Sequence, residues 1–394
     1  GNYLKARVQR LIDKSKQDYY KPDVVFGVSL KDEPVSIKKA REENKTRTFA
    51  PCPLDFVVAI RKYFHSLTAL LMEVKDTTPP KIGINPYSHE WTVLYNYLSE
   101  TGTKGFDADF KQWDARCYAP IMEMVIEIYL KIFSRLERNH KPEDNTIRRN
   151  LYNALIKPYI CMDGPVIQLP GGQMSGSPLT SVDNCIINMI LYYYVWLKNA
   201  PLNKKSYACF LEGVRFAVYG DDNLCTIAPS AQHFFNPQTF VKTLTEDLDH
   251  HVTGATKSDV VEWKLLDDMT FLSRKFDNRI DKTLSDMQSN PVSAVMAPLV
   301  PSTFNAMLEW IRGKRYRYVF TTLENSCTSD QPIEEISLCS LADSYLIEAC
   351  VQGRKTYDSE VNYIQNKMQQ LGVCYPEHPS FDEMARIVYY GIDY

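Results

Sequence analysis

Two adjacent carboxylates, Asp221 and Asp222, stand inside Tyr219-Gly220-Asp221-Asp222-Asn223, and the residues on either side leave them little choice of backbone. Residues 215–219 alternate, with Phe216 and Val218 on one face, and Leu224-Cys225-Thr226-Ile227 resumes a β-prone run. The spacing predicts a tight β-hairpin with the acidic pair at its tip. Neighbouring anions in a packed domain repel one another and resist desolvation, so the pair makes best sense where divalent cations supply the missing positive charge. An Asp-rich surface turn is the competing reading for an isolated Gly-Asp-Asp, and the rest of the chain has to decide between them.

With 394 residues the chain can bury a large core and divide into two or three lobes. Its 44% hydrophobic and 24% charged residues are ordinary for a soluble globular enzyme and argue against disorder. A formal net charge of −3 gives no global attraction to nucleic acid, so any such contact must come from a local basic patch. One candidate holds Lys31, Lys38, Lys39, Arg41, Lys45 and Arg47, interleaved with Asp32, Glu33, Glu42 and Glu43. It is either a solvated face or, because it leads into a β-like stretch at 46–49, the lining of a channel that meets phosphates. Ten cysteines without a Cys-x-x-Cys pair, and seven histidines not spaced with them, indicate neither a zinc site nor a disulfide scaffold. A reducing compartment fits this usage. The longest apolar stretch, 186–197, carries Asn188 and several tyrosines and falls short of a membrane span, and no secretory signal opens the sequence.

Periodicity places helices at 3–20, 54–74 and 89–98, and a strand at 104–110. Pro120 opens a core helix in which Ile121, Val125, Ile128, Ile132 and Leu136 share a stripe, with Met122, Tyr129 and Phe133 beside it. Residues 137–145 read as a surface loop, followed by a helix to about 157, a strand at 166–169 and a helix at 180–197. Phe240, Leu244 and Leu248 mark another helix, closed by a turn at Thr253-Gly254-Ala255-Thr256. A second hairpin at 260–276 is expected to turn at Asp267-Asp268. Helical segments around 302–312, 333–350, 359–371 and 381–390 form a separate C-terminal lobe.

Asp109 ends the 104–110 strand and Asp114 follows five residues later. With Asp221, Asp109 supplies opposed carboxylates from separate strands, able to bridge two magnesium ions about 3.5 to 4 Å apart for in-line displacement at phosphorus. The loop Gly171-Gly172-Gln173-Met174-Ser175-Gly176-Ser177-Pro178-Leu179-Thr180 joins flexible backbone to hydroxyl and amide groups that can bond sugar or phosphate; a glycine turn with a helix cap is the plainer alternative. Thr180 and Asn184 lie four apart on one helix face, and together with Asp114 they can recognise a ribose 2′-hydroxyl. Lys257 is either a solvated lysine or a proton donor to departing pyrophosphate.

In this order the residues resemble the RNA-dependent RNA polymerases of positive-strand RNA viruses, nearest to the picornavirus-like group, over residues 26–276. Asp109 through Asp114 is similar to the first palm motif of that family. Ser175-Gly176 with Thr180 and Asn184 matches the second, and residues 219–223 match the third. Lys257 resembles the fourth-motif lysine, and Phe271-Leu272-Ser273-Arg274-Lys275-Phe276 the hairpin that grips the primer. Lys31-Asp32-Glu33, with Lys39, Lys45 and Arg47, resembles the basic finger motif of the nucleotide entry channel; Lys38 is as good a match as Lys39.

The resemblance implies an α+β, right-hand polymerase fold of fingers, palm and thumb, with an antiparallel palm sheet flanked by helices and a mostly helical thumb. The expected division is fingers at 1–66, palm at 67–145, a fingers insertion at 146–172, palm again at 173–282 and thumb at 283–394. It also implies two magnesium or manganese ions on Asp109 and Asp221, with Asp222 in support and Lys257 as proton donor. Asp114, Thr180 and Asn184 would select ribose, Ser175 and Gly176 would move with template and nucleotide, and Lys39, Lys45 and Arg47 would hold the triphosphate. Lys31, Phe271, Leu272, Ser273 and Arg274 would meet primer and RNA. Expected partners are an RNA template and product strand, ribonucleoside triphosphates and other viral replication proteins, with initiation either from a protein primer or de novo, in host cytoplasm at membrane-associated replication complexes. Two other readings compete: a reverse transcriptase or DNA polymerase, and a catalytically silent RNA-binding scaffold. The sequence departs from the family in its short N-terminal portion, in Pro34 after Glu33, and in Asp183, an extra acid beside Asn184.

Overall fold

The computed structural model of the protein describes residues 1–31, 47–255, 260–277, 295–311 and 333–390. They form two compact units with separate cores, one taking in residues 1–31, 47–83, 98–255 and 260–264, the other 84–97, 265–277, 295–311 and 333–390.

The first unit is built on an antiparallel sheet. The Lys104–Phe110 strand pairs with Asp222–Ile227, which pairs in turn with Val214–Tyr219. Alternating Phe216 and Val218 are buried as the pattern predicts, and Tyr219 and Asp222 close the hairpin as a facing pair. Only Gly220 and Asp221 remain for the connection, and Gly220 takes the left-handed φ of 67° that such a short loop requires. Buried Phe106 packs against Phe240 of the Pro237–Leu248 helix, ring centroids 5.0 Å apart. The neighbouring Asp107 carboxylate is also buried, ion-paired with Lys264 at 2.6 Å.

Helices surround this sheet. The Thr180–Asn199 helix buries Val182, Ile186, Ile187, Leu191 and Val195. In Ala119–Leu136 the covered stripe is rotated from the expected one: Met122, Val125, Ile126, Tyr129, Leu130 and Phe133 are inside, whereas Leu136 is 64% exposed. The large aromatics of this helix decide which face goes inward, since Phe64 packs edge-on against both Tyr129 and Phe133. The surface loop after it is shorter than expected, because Pro142 starts the Pro142–Ile156 helix, with Asp144 capping the Lys141 backbone N–H. A short helix, Tyr207–Gly213, capped by the Ser206 hydroxyl, was not expected.

The expected turn at Thr253-Gly254 is instead part of a strand. Val252–Gly254 pairs with Lys104–Phe110, setting Thr253 opposite Asp109. A smaller sheet joins Val25–Gly27 to Tyr159–Cys161 in parallel and the latter to Val166–Gln168 antiparallel, and Ser29–Leu30 pairs with Thr48–Phe49.

The second unit is mostly helical: Pro301–Ile311, Ile333–Val351, Arg354–Gln370 and Phe381–Tyr390, close to the four expected segments. Its core includes Ala342, Tyr345, Leu346, Tyr357 and Ile364. The hairpin within it turns at Leu272-Ser273, between Thr270–Phe271 and Arg274–Lys275, not at Asp267-Asp268, which belongs to a 3-10 turn. Both turn residues have positive φ, 53° and 59°, without a glycine.

Candidate active site

The hairpin tip and the end of the Lys104–Phe110 strand meet by register. Ala108 pairs with Asn223, so one step further along the two strands sets Asp109 beside Asp222, with half-buried Asp109 also facing Thr253 across the other edge. Asp221 is exposed at the turn and Asp222 half-buried. The turn is held from beneath by groups that sequence reasoning did not assign. Asn223, fully buried, donates its side-chain amide to the carbonyls of Ala108 at 3.1 Å and Asp221 at 3.0 Å, and accepts from the Tyr192 hydroxyl at 2.8 Å. Asn188 donates to the Gly220 carbonyl at 3.0 Å, and the Gly220 N–H meets the Cys185 sulfur at 3.3 Å. The readable signal for two of them was a four-residue repeat: Thr180, Asn184, Asn188 and Tyr192 lie on one stripe of the helix.

Asp114 lies in the 3-10 turn Trp113–Arg116. That turn is anchored by Arg116, ion-paired with Asp249 at 2.5 Å, while the Tyr118 hydroxyl donates to the same carboxylate at 3.0 Å. Surrounding protein desolvates the Asp114 carboxyl and raises its pKa, Asp221 raises it further by like charge, and Arg47 draws it down. Asp114, the hairpin tip and the described end of the basic run therefore share one electrostatic neighbourhood. Arg47 accepts at its carbonyl from the Lys31 N–H at 2.8 Å, so the two basic residues flank the Ser29–Leu30 and Thr48–Phe49 pairing.

The glycine-and-hydroxyl loop runs along the Asp114 segment. Gln173 N–H donates to the Asp114 carbonyl at 2.8 Å and Gly172 N–H to the Cys117 carbonyl at 2.9 Å. At Gly176 a Cβ would fall 2.4 Å from the Ala50 carbonyl oxygen, so only glycine permits its bridge to Pro51. Loop and segment enclose a cavity of 390 Å³ with Thr48, Phe49, Asp114, Gly172, Met174 and Ser175 among its walls. Ser175 is exposed there. The Thr180 hydroxyl donates within the loop, to Met174 at 2.7 Å and Ser177 at 2.9 Å, while the side-chain oxygen of buried Asn184 has no hydrogen-bond partner.

Two expected RNA contacts are corrected. Phe271 is fully buried, stacked on Trp91 at 6.2 Å. The Arg274 guanidinium is also buried and bonds both Glu348 oxygens, at 2.5 and 3.0 Å, and the Ala297 carbonyl at 2.8 Å, so it is spent inside its own unit. At the turn itself Leu272 is half-buried and Ser273 exposed. Lys39, Lys45 and Lys257 lie outside the described residues.

Hard oxygen donors and gathered negative charge fit a divalent cation in kind. Among the described residues, no three carboxylate, imidazole or thiolate groups already stand at metal-binding distance.

Comparison with known proteins matches residues 5–369 to the family profile described as viral RNA-dependent RNA polymerase. The RNA1 polyprotein of broad bean wilt virus 1 is 30% identical over 270 residues, 68% of this chain and 14% of that protein. The replicase polyprotein of Drosophila C virus is 28% identical over 316 residues, 78% of this chain and 17% of that protein. The chain thus spans about a sixth of the length of these curated relatives. Among solved structures, the Sicinivirus 3Dpol RNA-dependent RNA polymerase superposes with a TM-score of 0.72 at 18% identity, covering 98% of this chain and 71% of that one, which establishes the α+β right-hand polymerase fold. The family profile takes in nearly the whole length and all the motifs just described: the chain belongs to the viral RNA-dependent RNA polymerases.

Proposed function

We propose that the chain copies RNA from an RNA template, adding ribonucleotides to an RNA 3′ end in the replication of a viral genome. The observation that carries this reading is the sheet register, which brings Asp109 to Asp222 beside the exposed Asp221, in a family whose members are RNA polymerases.

Asp109 and Asp221 would hold the metal ions, with Asp222 in support. Bound magnesium or manganese offsets charge on the phosphates and orients the attacking and leaving oxygens. The protein's own part is positioning. Asn188, Asn223 and Tyr192 keep the hairpin tip fixed against the strand end, so the carboxylates need little reorganisation when a triphosphate arrives. Asp114, with Thr180 and Asn184, reads the ribose hydroxyls, and the cavity beside Asp114 and Ser175 takes the nucleotide or its template base. Arg47 and Lys31 offer positive charge to phosphate at the entrance, and Leu272 with Ser273 touches the primer strand.

That the relatives are viral polyproteins supports other viral replication proteins as partners; a protein primer, and host cytoplasm at membrane-associated replication complexes, are the further parts of this proposal. Among the described residues no helix is long and apolar enough to cross a membrane.

The test is primer extension on a homopolymer template with magnesium or manganese titrated. Asp221→Ala should abolish incorporation and leave the fold intact, since the side chain is exposed. An active Asp221→Ala protein removes the assignment, and equal use of ribo- and deoxyribonucleotides redirects it to a DNA-synthesising enzyme.

A further inference from the structure

The carboxyl of Asp183 is fully buried and has no part in the chemistry proposed above. It turns toward the Ala119–Leu136 and Pro142–Ile156 helices, where the Tyr129 hydroxyl donates to its Oδ1 at 2.7 Å and the Tyr152 hydroxyl also acts on it. Its second oxygen, Oδ2, accepts from Gln173 Nε2 at 3.4 Å. Among the described residues these partners are neutral donors, so the group gains no ion pair to offset its desolvation. A buried acid held this way is a costly means of packing a helix, and the bond to Gln173 shows what it accomplishes.

Gln173 belongs to the loop that lines the cavity, yet its side chain is driven inward and the residue is only 3% exposed. Its backbone N–H is the donor to the Asp114 carbonyl, at 2.8 Å. One residue earlier, Gly172 makes the parallel bond to Cys117 with a φ of 112°. The two bonds lay the loop along residues 114–117, and the Asp183 carboxylate fixes it from the buried side. A continuous series of contacts therefore runs from the Tyr129 hydroxyl through Asp183 and Gln173 to the backbone of Asp114.

We propose that Asp183 and Gln173 are positioning residues for sugar selection: their side-chain hydrogen bond sets the height of the loop, and the loop sets Asp114 against the ribose of the incoming nucleotide. This inference rests on the reading of Asp114 as the group that meets the 2′-hydroxyl. Thr180 and Asn184 approach the same sugar from the helix, so a small displacement of Asp114 weakens the bond to one hydroxyl while leaving the acidic pair of the hairpin untouched. The feature selected by the device is the presence of the 2′-hydroxyl, not the identity of the base.

The experiment compares kcat/KM for a ribonucleotide and its 2′-deoxy counterpart in primer extension by the full chain. Gln173→Met removes the donor at nearly constant volume, and should lower the ribo-to-deoxy ratio about tenfold, mainly through a raised KM for the ribonucleotide. Gln173→Asn, one methylene too short to reach Asp183, should do the same and serves if the methionine variant does not fold. Asp183→Asn is the conservative control: its amide can pair with Gln173 once that side chain reverses its own amide, so the ratio should stay within about twofold of the parent. A ratio unchanged in an active Gln173 variant overturns the proposal, as does an equal loss on both substrates, which marks a merely structural role. A parent chain that extends no primer with ribonucleotides defeats the underlying reading of function, and the inference falls with it.

Discussion

Asn188 donates its side-chain amide to the carbonyl oxygen of Gly220 at 3.0 Å, from a helix position about two turns beyond Thr180. A residue in the body of a helix thereby braces the connection that presents Asp221, and the brace is buried on both sides.

Replacing it separates support from stability. Asn188→Leu strands the buried Gly220 carbonyl but also removes a buried side-chain oxygen that lacks a partner, so unfolding free energy should fall by no more than about 1 to 3 kcal/mol. Incorporation should fall roughly tenfold or more in kcat, with nucleotide KM little altered, because the turn gains freedom at the carboxylates. Denaturant melts together with single-turnover extension would check both halves, and an unchanged kcat would remove Asn188 from the positioning of the turn.

Stability should carry an unusual dependence on pH from Asp183. Desolvation raises its pKa from the ordinary carboxyl range to about 7, against the lowering pull of its hydrogen bonds. The folded chain keeps this proton longer than the unfolded chain does. Its favourable contribution is therefore present below about pH 4 and lost as pH rises to about 7, a difference of order 4 kcal/mol at the limit. Asp183→Asn should flatten that part of the curve, so that the variant gains on the parent between pH 4 and 7 and holds its lead above. Parallel melts of the two proteins across that range test it, and curves that stay parallel would count against the buried acid.

In the C-terminal unit, Glu348 and Arg274 form a buried ion pair with the Tyr87 hydroxyl as a third member. Glu348→Ala should destabilise this unit by about 3 to 5 kcal/mol, because it strands a guanidinium away from water. The double variant Arg274→Met/Glu348→Leu should recover most of the loss. Thermal melts of the parent, Glu348→Leu, Arg274→Met and the double variant close the cycle that measures the coupling, and additive losses would show that the two side chains act independently.

The strand carrying Asp109, the hairpin carrying Asp221 and Asp222, and most of the helices were legible because local chemistry and burial agree there: alternation for strands, glycine for the turn, apolar spacing for helices. Where these separate, the reading missed. Thr253 and Gly254 favour a turn by composition, and only pairing with a strand well over a hundred residues away makes them β. Leu272 and Ser273 carry no turn signature, so Asp267-Asp268 drew the assignment although the backbone reverses later. Likeness to the hairpin that grips the primer suggested RNA for Arg274, whose actual partner, Glu348, lies 74 positions along the chain. The rotated face of Ala119–Leu136 has the same origin, since neighbours supplied by other helices choose among several apolar stripes.

Where residues 50 and 51 pass Gly176 there is no room for even a methyl group. The loop that walls the cavity is thus seated directly on residues 50 and 51, which continue from the Thr48–Phe49 strand, and the partner of that strand runs on to Lys31. Any side chain larger than glycine at position 176 should therefore lift the loop off residues 50 and 51, and disturb Ser175 and the Thr48–Phe49 edge of the cavity together.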